Sequence, residues 1–351
     1  MNRKYAYILF LAIVFVGTAM WRSCPKQTEP TDIPYQKIEG SIFNTIYHIT
    51  YQGTNDYHNE INRLFKEFDG SLSMFNDTSI ITRMNNNDTS VVANKYFRRV
   101  FEKAVSVSEA SDGAFDITVA PLVNLWGFGF KNSDSVTQQM VDSILQFVGY
   151  KSVFLDEEGR LHKEDPRTIL DASSIAKGYM SDIVAEYLED QGVFNYMVEI
   201  GGEIALNGVN PKGNAWSVGI VKPADDETNM NDELQEVLYM TSGGMATSGN
   251  YRRFYVKDGK KYAHTINPHT GYPIQQDILS STVIAEDCMT ADAYATAFMV
   301  LGKEKAINVL EKDTTLMAYF ILSGKDSTEY DIYCSPALEE RLRVSAGVTP
   351  K

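Results

Sequence analysis

The chain has 351 residues, with 46 Asp and Glu against 32 Lys and Arg for a formal net charge of −14, and it is 44% hydrophobic and 22% charged. That composition builds a globular core, and its net negative field repels a phosphate backbone, so no nucleic-acid partner is expected. The three cysteines, Cys24, Cys288 and Cys334, form no CxxC pair and no zinc-type Cys/His spacing, which excludes a disulfide scaffold and a thiolate metal centre.

Asn2-Arg3-Lys4 precede an apolar run from Tyr5 to Trp21, the pattern of an export signal or an uncleaved anchor. At roughly 17 residues the run sits at the short limit for spanning a bilayer, so its length leaves both readings open. Cys24 offers an acylation site, although Trp21-Arg22-Ser23 before it are bulkier and more charged than a lipobox prefers. The expectation is a leader over 1–24, a polar, Pro-containing tether over 25–37 and a folded body over 38–345. Within the body, alternation from Ile42 to Tyr51 predicts a strand, and Ile61, Leu64, Phe65 and Phe68 mark one face of a helix. A second helix is predicted from Tyr96 to Ala110, and a loop-to-helix junction from Asp171 to Gly178, continued by Tyr179, Ile183, Val184 and Leu188. Short strands follow at Tyr196 to Ile200, Trp216 to Val221 and Glu236 to Met240, with a hairpin around Asp258-Gly259. Helices return at Met289 to Leu301 and Lys303 to Glu311, then a strand from Leu316 to Leu322. Hairpins and helices in separate runs argue for an α+β fold with mixed or antiparallel sheets and against a doubly wound parallel one.

Three segments could carry chemistry, the first of them running from Met240 to Gly271. Gly243, Gly244, Ser248, Gly249 and Asn250 suit a backbone that approaches a ligand closely, with Arg252 and Arg253 adding charge; a plain turn into a hairpin fits the same residues. Further on, His264 is a candidate general base at a strand end, or a structural histidine. Asp292 and Thr296, at i and i+4, place a carboxylate and a hydroxyl on one helix face, hard oxygens suited to Mg²⁺, although an Asp in a first helical turn is also favoured by the macrodipole alone. The junction from Asp171 to Lys177 offers hydroxyls and N–H groups at a helix N-terminus, a setting for anions, or an ordinary cap. The Gly-rich Trp126 to Phe130 stretch is not a nucleotide fingerprint.

Taken in order, FDGSLSMFN (68–76), GAFDITVAPLVNLWGFG (113–129), DASSIAKGYMSD (171–182), EIGGEI (199–204), TSGNYRRF (247–254), HTINPHTGYP (264–273) and ADAYATAFMVLG (291–302) resemble the FAD:protein FMN transferases, the ApbE family. The resemblance runs from about Gly40 to Leu322. It implies an ApbE-like, T-fold-like α+β architecture and an extracytoplasmic, Mg²⁺-dependent enzyme, with Mn²⁺ as a possible substitute. Such an enzyme splits FAD, attaches FMN through a phosphoester to a Thr or Ser of a target flavoprotein, and releases AMP. It implies metal ligands at Ser174, Asp292 and Thr296, and FAD contacts at Phe43, Phe75, Ala114, Phe115, Asp116, Asp171, Lys177 and Ile266. His264 takes the place of the base for the acceptor hydroxyl, with Asp292 the other catalytic residue. Two departures stand out: Ala295 replaces an Asp common just before the metal-binding Thr, and Phe43-Asn44-Thr45 replaces an MGT motif. The alternatives are an FAD pyrophosphatase giving FMN and AMP, and a non-catalytic flavin-binding lipoprotein. The implied partners are FAD, acceptor flavoprotein subunits carrying a flavinylation motif, and a membrane reached through the N-terminus. The implied location is the cell envelope, on the extracytoplasmic face of the cytoplasmic membrane.

Overall fold

The computed structural model describes residues 33–128, 136–223, 234–250, 254–257, 260–275, 277–324 and 330–345. The leader, Cys24, Arg252, Arg253 and the Asp258-Gly259 turn lie outside these residues, and the chain divides between Pro34 and Tyr35. The first strand begins at Tyr35, within the segment expected as a tether.

The body is built on an eight-stranded sheet in which every neighbouring pair is antiparallel. In chain order the strands are β1 (Tyr35–Ile42), β2 (Thr45–Gln52), β3 (Val153–Leu155), β4 (Leu161–Lys163), β5 (Tyr196–Ile200), β6 (Glu203–Asn207), β7 (Trp216–Val221), β8 (Leu234–Met240), β9 (Ser242–Gly249), β10 (Phe254–Lys257), β11 (Lys260–Ala263), β12 (Ile278–Ala285), β13 (Met317–Ser323) and β14 (Tyr330–Cys334). The helices are α1 (His58–Leu72), α2 (Ile80–Asn85), α3 (Lys95–Ala110), α4 (Ala120–Leu125), α5 (Gln138–Leu145), α6 (Ala176–Asp190), α7 (Cys288–Leu301), α8 (Lys303–Lys312) and α9 (Pro336–Ser345). The large sheet runs β1-β2-β5-β6-β9-β12-β13-β14, with β3-β4, β7-β8 and β10-β11 as separate pairs. This is the α+β arrangement expected from the sequence.

The period-2 alternation of strands sorts the sheet's two faces. Ala246, Val283 and Ala285 join the larger core with α1, α3, α6 and α7, while their neighbours Met245 and Ile284 join a second core under β7, β8 and α9. The strand predicted from Ile42 to Tyr51 is β2, Thr45–Gln52, and it forms the second half of a hairpin whose turn falls at the predicted start. Ile42 pairs with Thr45, so Phe43 and Asn44 form a two-residue turn with φ of 51° and 57°. Such a turn needs positive φ at both positions, which Asn tolerates and Phe does not favour, so nothing in the local pattern announced it. The Phe43 ring packs 5.5 Å from Phe68 on α1, a tertiary contact that holds the strained residue.

The Gly-rich segment 242–249 is also not a turn: it is β9, in the middle of the sheet. Its small residues lie under α7. A Cβ on Gly244 would come within 2.2 Å of the Cys288 nitrogen, so that glycine admits the helix start. Farther along, Ser248 lies against Thr296. Eight residues of helix and four of strand both advance about 12–13 Å, so α7 and β9 stay in step over this distance.

Helices α6 and α7 cap one another. Ile175 at the start of α6 supplies no side-chain cap; the Gly178 N–H donates instead to Asp292 Oδ2 of α7 at 3.0 Å. In return Asp182 of α6 accepts from the Cys288 and Met289 N–H groups of α7, each at 2.8 Å, while Asp287 accepts from Thr290 N. Together these carboxyls satisfy first-turn donors that would otherwise be buried without partners. The crossing requires Gly178, because a Cβ there would sit 2.4 Å from the Cys288 carbonyl oxygen and 2.8 Å from Asp292 Cβ.

Two outcomes follow. Gly178→Ala is expected to destabilise the fold by about 2–3 kcal/mol, as overpacking in a closed core does, read by urea unfolding; a change under about 0.5 kcal/mol would remove the close crossing as a constraint. Burial, with the nearby Asp287 charge, pushes Asp182 up to about 8, while in the unfolded chain it titrates as an ordinary carboxyl. Between those values the folded state holds a proton that the unfolded state has released, so this group's contribution to stability falls as pH rises toward 8 and is level above it. Urea unfolding at a series of pH values should show that slope for the wild type and a weaker one for Asp182→Asn; equal slopes would contradict the assignment.

Candidate functional site

The capped crossing gathers charge. Lys177, next to Gly178, extends its ammonium to Glu203 Oε1 at 2.8 Å, and Asp292 is 3% exposed. Glu203 arrives there because Ile200 pairs with Glu203 across a two-residue turn, Gly201-Gly202, whose φ values of 62° and 94° favour glycine. A Cβ on Gly201 would meet Thr45 Oγ1 at 2.8 Å and Lys177 Cδ at 3.3 Å, so this glycine also clears a path for the lysine stem. The turn is tied at its other end, where Glu199 accepts from Gly202 N at 2.8 Å and pairs with His48 at 2.6 Å. Ser181 Oγ bonds the Glu203 carbonyl at 3.1 Å and fixes β6 to α6.

Burial raises Asp292 above the usual carboxylate range, with Lys177 and the Gly178 N–H working against it. Glu203 is raised for the same first reason, Lys177 opposing and Asp292 adding to the rise. For Lys177 burial disfavours the ammonium, yet Asp292 and Glu203 outweigh it and the group is held above its ordinary value. One cation and two carboxyls thus share a low-dielectric space, which carries electrostatic force that exposed charges lack. Glu203 Oε2 is buried and accepts no hydrogen bond.

Around this cluster stand other residues singled out in the sequence. Thr296, one turn after Asp292 on α7, bonds Ser248 at 3.1 Å. Half-buried Ser174 lies in the turn that leads into α6, whose first bonds run from Ile175 and Ala176 to the Ala172 carbonyl. Ala295, at the departure from the family pattern, is fully buried. Asp171 donates its N–H to the Ile117 carbonyl at 2.7 Å and accepts from Ser173 N, and burial raises its carboxyl. That bond joins the α6 junction to the Ala114–Asp116 segment. There the side chains of Ala114 and Phe115 are core, 4% and 1% exposed, so a ligand would meet this segment through its backbone. Asp116 is committed to its own loop, Oδ1 accepting from Thr118 N and Oγ1 and Oδ2 from Tyr150 N, and burial raises it too.

The remaining two groups are less central. Ile266 is buried in a third apolar cluster with Leu122, Trp126 and Val141, and half-buried His264 meets the Phe128 ring edge-on at 6.5 Å. The loop between them and β12 is pinned by Trp126 Nε1 to the Gly271 carbonyl at 2.7 Å and by His269 to the Asp112 carbonyl at 2.7 Å. Phe75, 77% exposed beyond the end of α1, does not join the buried cluster.

Sequence reasoning did not single out Glu203, Asp182 or Asn85. Asn85 grips the Leu170 backbone with both ends of its amide at 2.8 Å, holding the Asp171 turn from 85 residues away. An acid directly after Gly-Gly, and one inside an otherwise apolar α6 face, were the available signals for the first two. Asn85 carried none.

The family model described as the ApbE family matches residues 43–320. An FAD:protein FMN transferase of Haemophilus influenzae is 36% identical over 330 residues, covering 90% of this chain and 93% of the relative. One of Vibrio cholerae is 35% identical, covering 84% and 89%. Among solved structures, the flavin transferase ApbE from Vibrio cholerae superposes with a TM-score of 0.79 at 34% identity, over 88% of this chain and 99% of that one. The apo flavinyl transferase ApbE of Pseudomonas stutzeri gives 0.78 at 28% identity, over 90% and 99%. By its sequence along 43–320 and by its fold, the chain belongs to the ApbE family of flavin transferases.

Proposed function

We propose that the chain transfers FMN from FAD to a Thr or Ser hydroxyl of an acceptor flavoprotein and releases AMP, with Mg²⁺ held by Asp292, Thr296 and Ser174. The observation that carries this reading is Asp292: buried, oriented by the Gly178 N–H, one turn ahead of Thr296 and beside Lys177. The donor set fits the ion. Among the described residues no group of three or more His, Cys, Asp or Glu could hold a metal, so no closed cage is built. A single carboxylate with neighbouring hydroxyls suits Mg²⁺, which keeps waters and takes the rest of its oxygens from substrate phosphates.

When bound, the metal supplies positive charge at the pyrophosphate. Lys177, its ammonium already oriented by Glu203, would add a second positive charge for the FAD phosphates, and such preorganised charge provides most of the rate in phosphoryl transfer. His264 takes the proton from the acceptor hydroxyl as its oxygen bonds to the FMN phosphorus and the bond to the AMP oxygen breaks. Phe43, Phe75, Asp171, Ile266 and the backbone of 114–116 would line the FAD. The leader 1–24, as signal or anchor with or without an acylated Cys24, would hold the enzyme at the extracytoplasmic face of the cytoplasmic membrane.

With the full chain, FAD, Mg²⁺ and an FMN-domain acceptor, the acceptor should gain the mass of FMN while AMP appears, and EDTA should stop both. Free FMN and AMP with an unmodified acceptor would point to hydrolysis instead. Asp292→Ala should lose metal-dependent turnover; activity that persists in EDTA would exclude the metal assignment. His264→Ala should slow transfer by about 10²–10⁴-fold with FAD binding kept, the range for a lost general base, and unchanged transfer would remove it from that role.

A further inference from the structure

The Lys177 ammonium has two buried carboxyls within its electrostatic reach, Glu203 and Asp292, and its hydrogen bond goes to Glu203 Oε1 at 2.8 Å. Asp292 is the more useful anion to leave open. Its Oδ2 is taken by Gly178 N, and the carboxylate accepts no other hydrogen bond among the described residues. A lysine seated on Asp292 would neutralise the one carboxylate that the proposed metal site possesses and would repel a divalent cation. Three features place Glu203 where it engages the lysine: the Gly201-Gly202 turn, the Ser181 tie to the Glu203 carbonyl, and the path of the Lys177 stem past Gly201.

We propose that Glu203 is a positioning residue that keeps the Lys177 ammonium hydrogen-bonded to itself rather than to Asp292, so that Asp292 stays available to a divalent cation. Glu203 touches neither the metal nor the reacting atoms. It acts through the lysine, and its effect exists only while the lysine is present. The inference rests on the metal assignment to Asp292 made above, and the two can fail separately.

The test uses the full chain and Mn²⁺ alone, with no flavin, reading free Mn²⁺ by its electron paramagnetic resonance signal. Glu203→Gln should weaken Mn²⁺ binding by about tenfold, as the freed ammonium moves onto Asp292, the scale of a strongly coupled charge pair at partial burial. Glu203→Asp, which keeps the charge on a shorter arm, should fall between Gln and wild type. The Lys177→Met, Glu203→Gln double variant should bind Mn²⁺ at least as tightly as wild type. It removes both charges of the pair and leaves neither buried alone, so it keeps the test readable if the single Gln variant does not fold.

A merely structural role for Glu203 predicts weak binding in the double variant as well, and that result would overturn the proposal. Wild-type affinity in a folded Glu203→Gln protein would overturn it too. Asp292→Ala distinguishes the two levels: if it binds Mn²⁺ like wild type, the metal assignment falls and takes this inference with it, whereas lost binding there with Glu203→Gln unaffected sinks the inference alone.

Discussion

The reciprocal capping of α6 and α7 is the constraint on which the rest of the molecule depends. A helix buried in a core leaves its first N–H groups without water, and here each helix answers the other's need through a carboxyl, Asp292 for α6 and Asp182 for α7. The exchange works only because Gly178 lets the two backbones meet. It fixes the crossing point, and with it the depth at which Asp292, Lys177 and the α6 junction sit relative to the sheet. The glycine at 244 performs the matching service on the sheet side, so α7 is seated from below by β9 and from the side by α6.

That seating turns a structural group into a chemical one. The Asp292 carboxyl has one oxygen engaged as a cap and lies in surroundings where charge is weakly screened. Glu203 is placed by the Gly201-Gly202 turn and holds the Lys177 ammonium at the end of its stem, so the arrangement exists before any substrate binds. Preorganisation of this kind keeps one cation between two acids, Glu203 and Asp292. The acids at 116 and 171 contribute differently. Asp116 spends its carboxyl on its own loop, and the Asp171 N–H ties that loop to the α6 junction, so these positions set the shape of the backbone there.

Legibility varied with the range of the interactions involved. Elements whose pattern is local came through: β5 and β7 have the boundaries read from alternation, and α3, α7, α8 and β13 differ by a residue at their ends. The β1–β2 hairpin was hidden because its turn places a Phe at positive φ, a conformation supported by the packing of Phe43 on Phe68. The glycines of β9 resembled a ligand-binding loop because nothing in a sequence distinguishes a glycine that admits a phosphate from one that admits a helix. Asn85 was silent because its two hydrogen bonds span 85 residues.

The sequence by itself determined the α+β class and the family, because motifs, periodicity and spacings such as Asp292 to Thr296 at i to i+4 are properties of neighbouring residues. Only the tertiary structure decided which acid meets which base. Lys177 could have paired with Asp171, Asp182, Glu203 or Asp292 for all that the chain order says. The choice of Glu203 comes from a two-glycine turn on one strand, a hydroxyl on one helix and the space left by a missing Cβ, and these become neighbours only when the sheet is assembled.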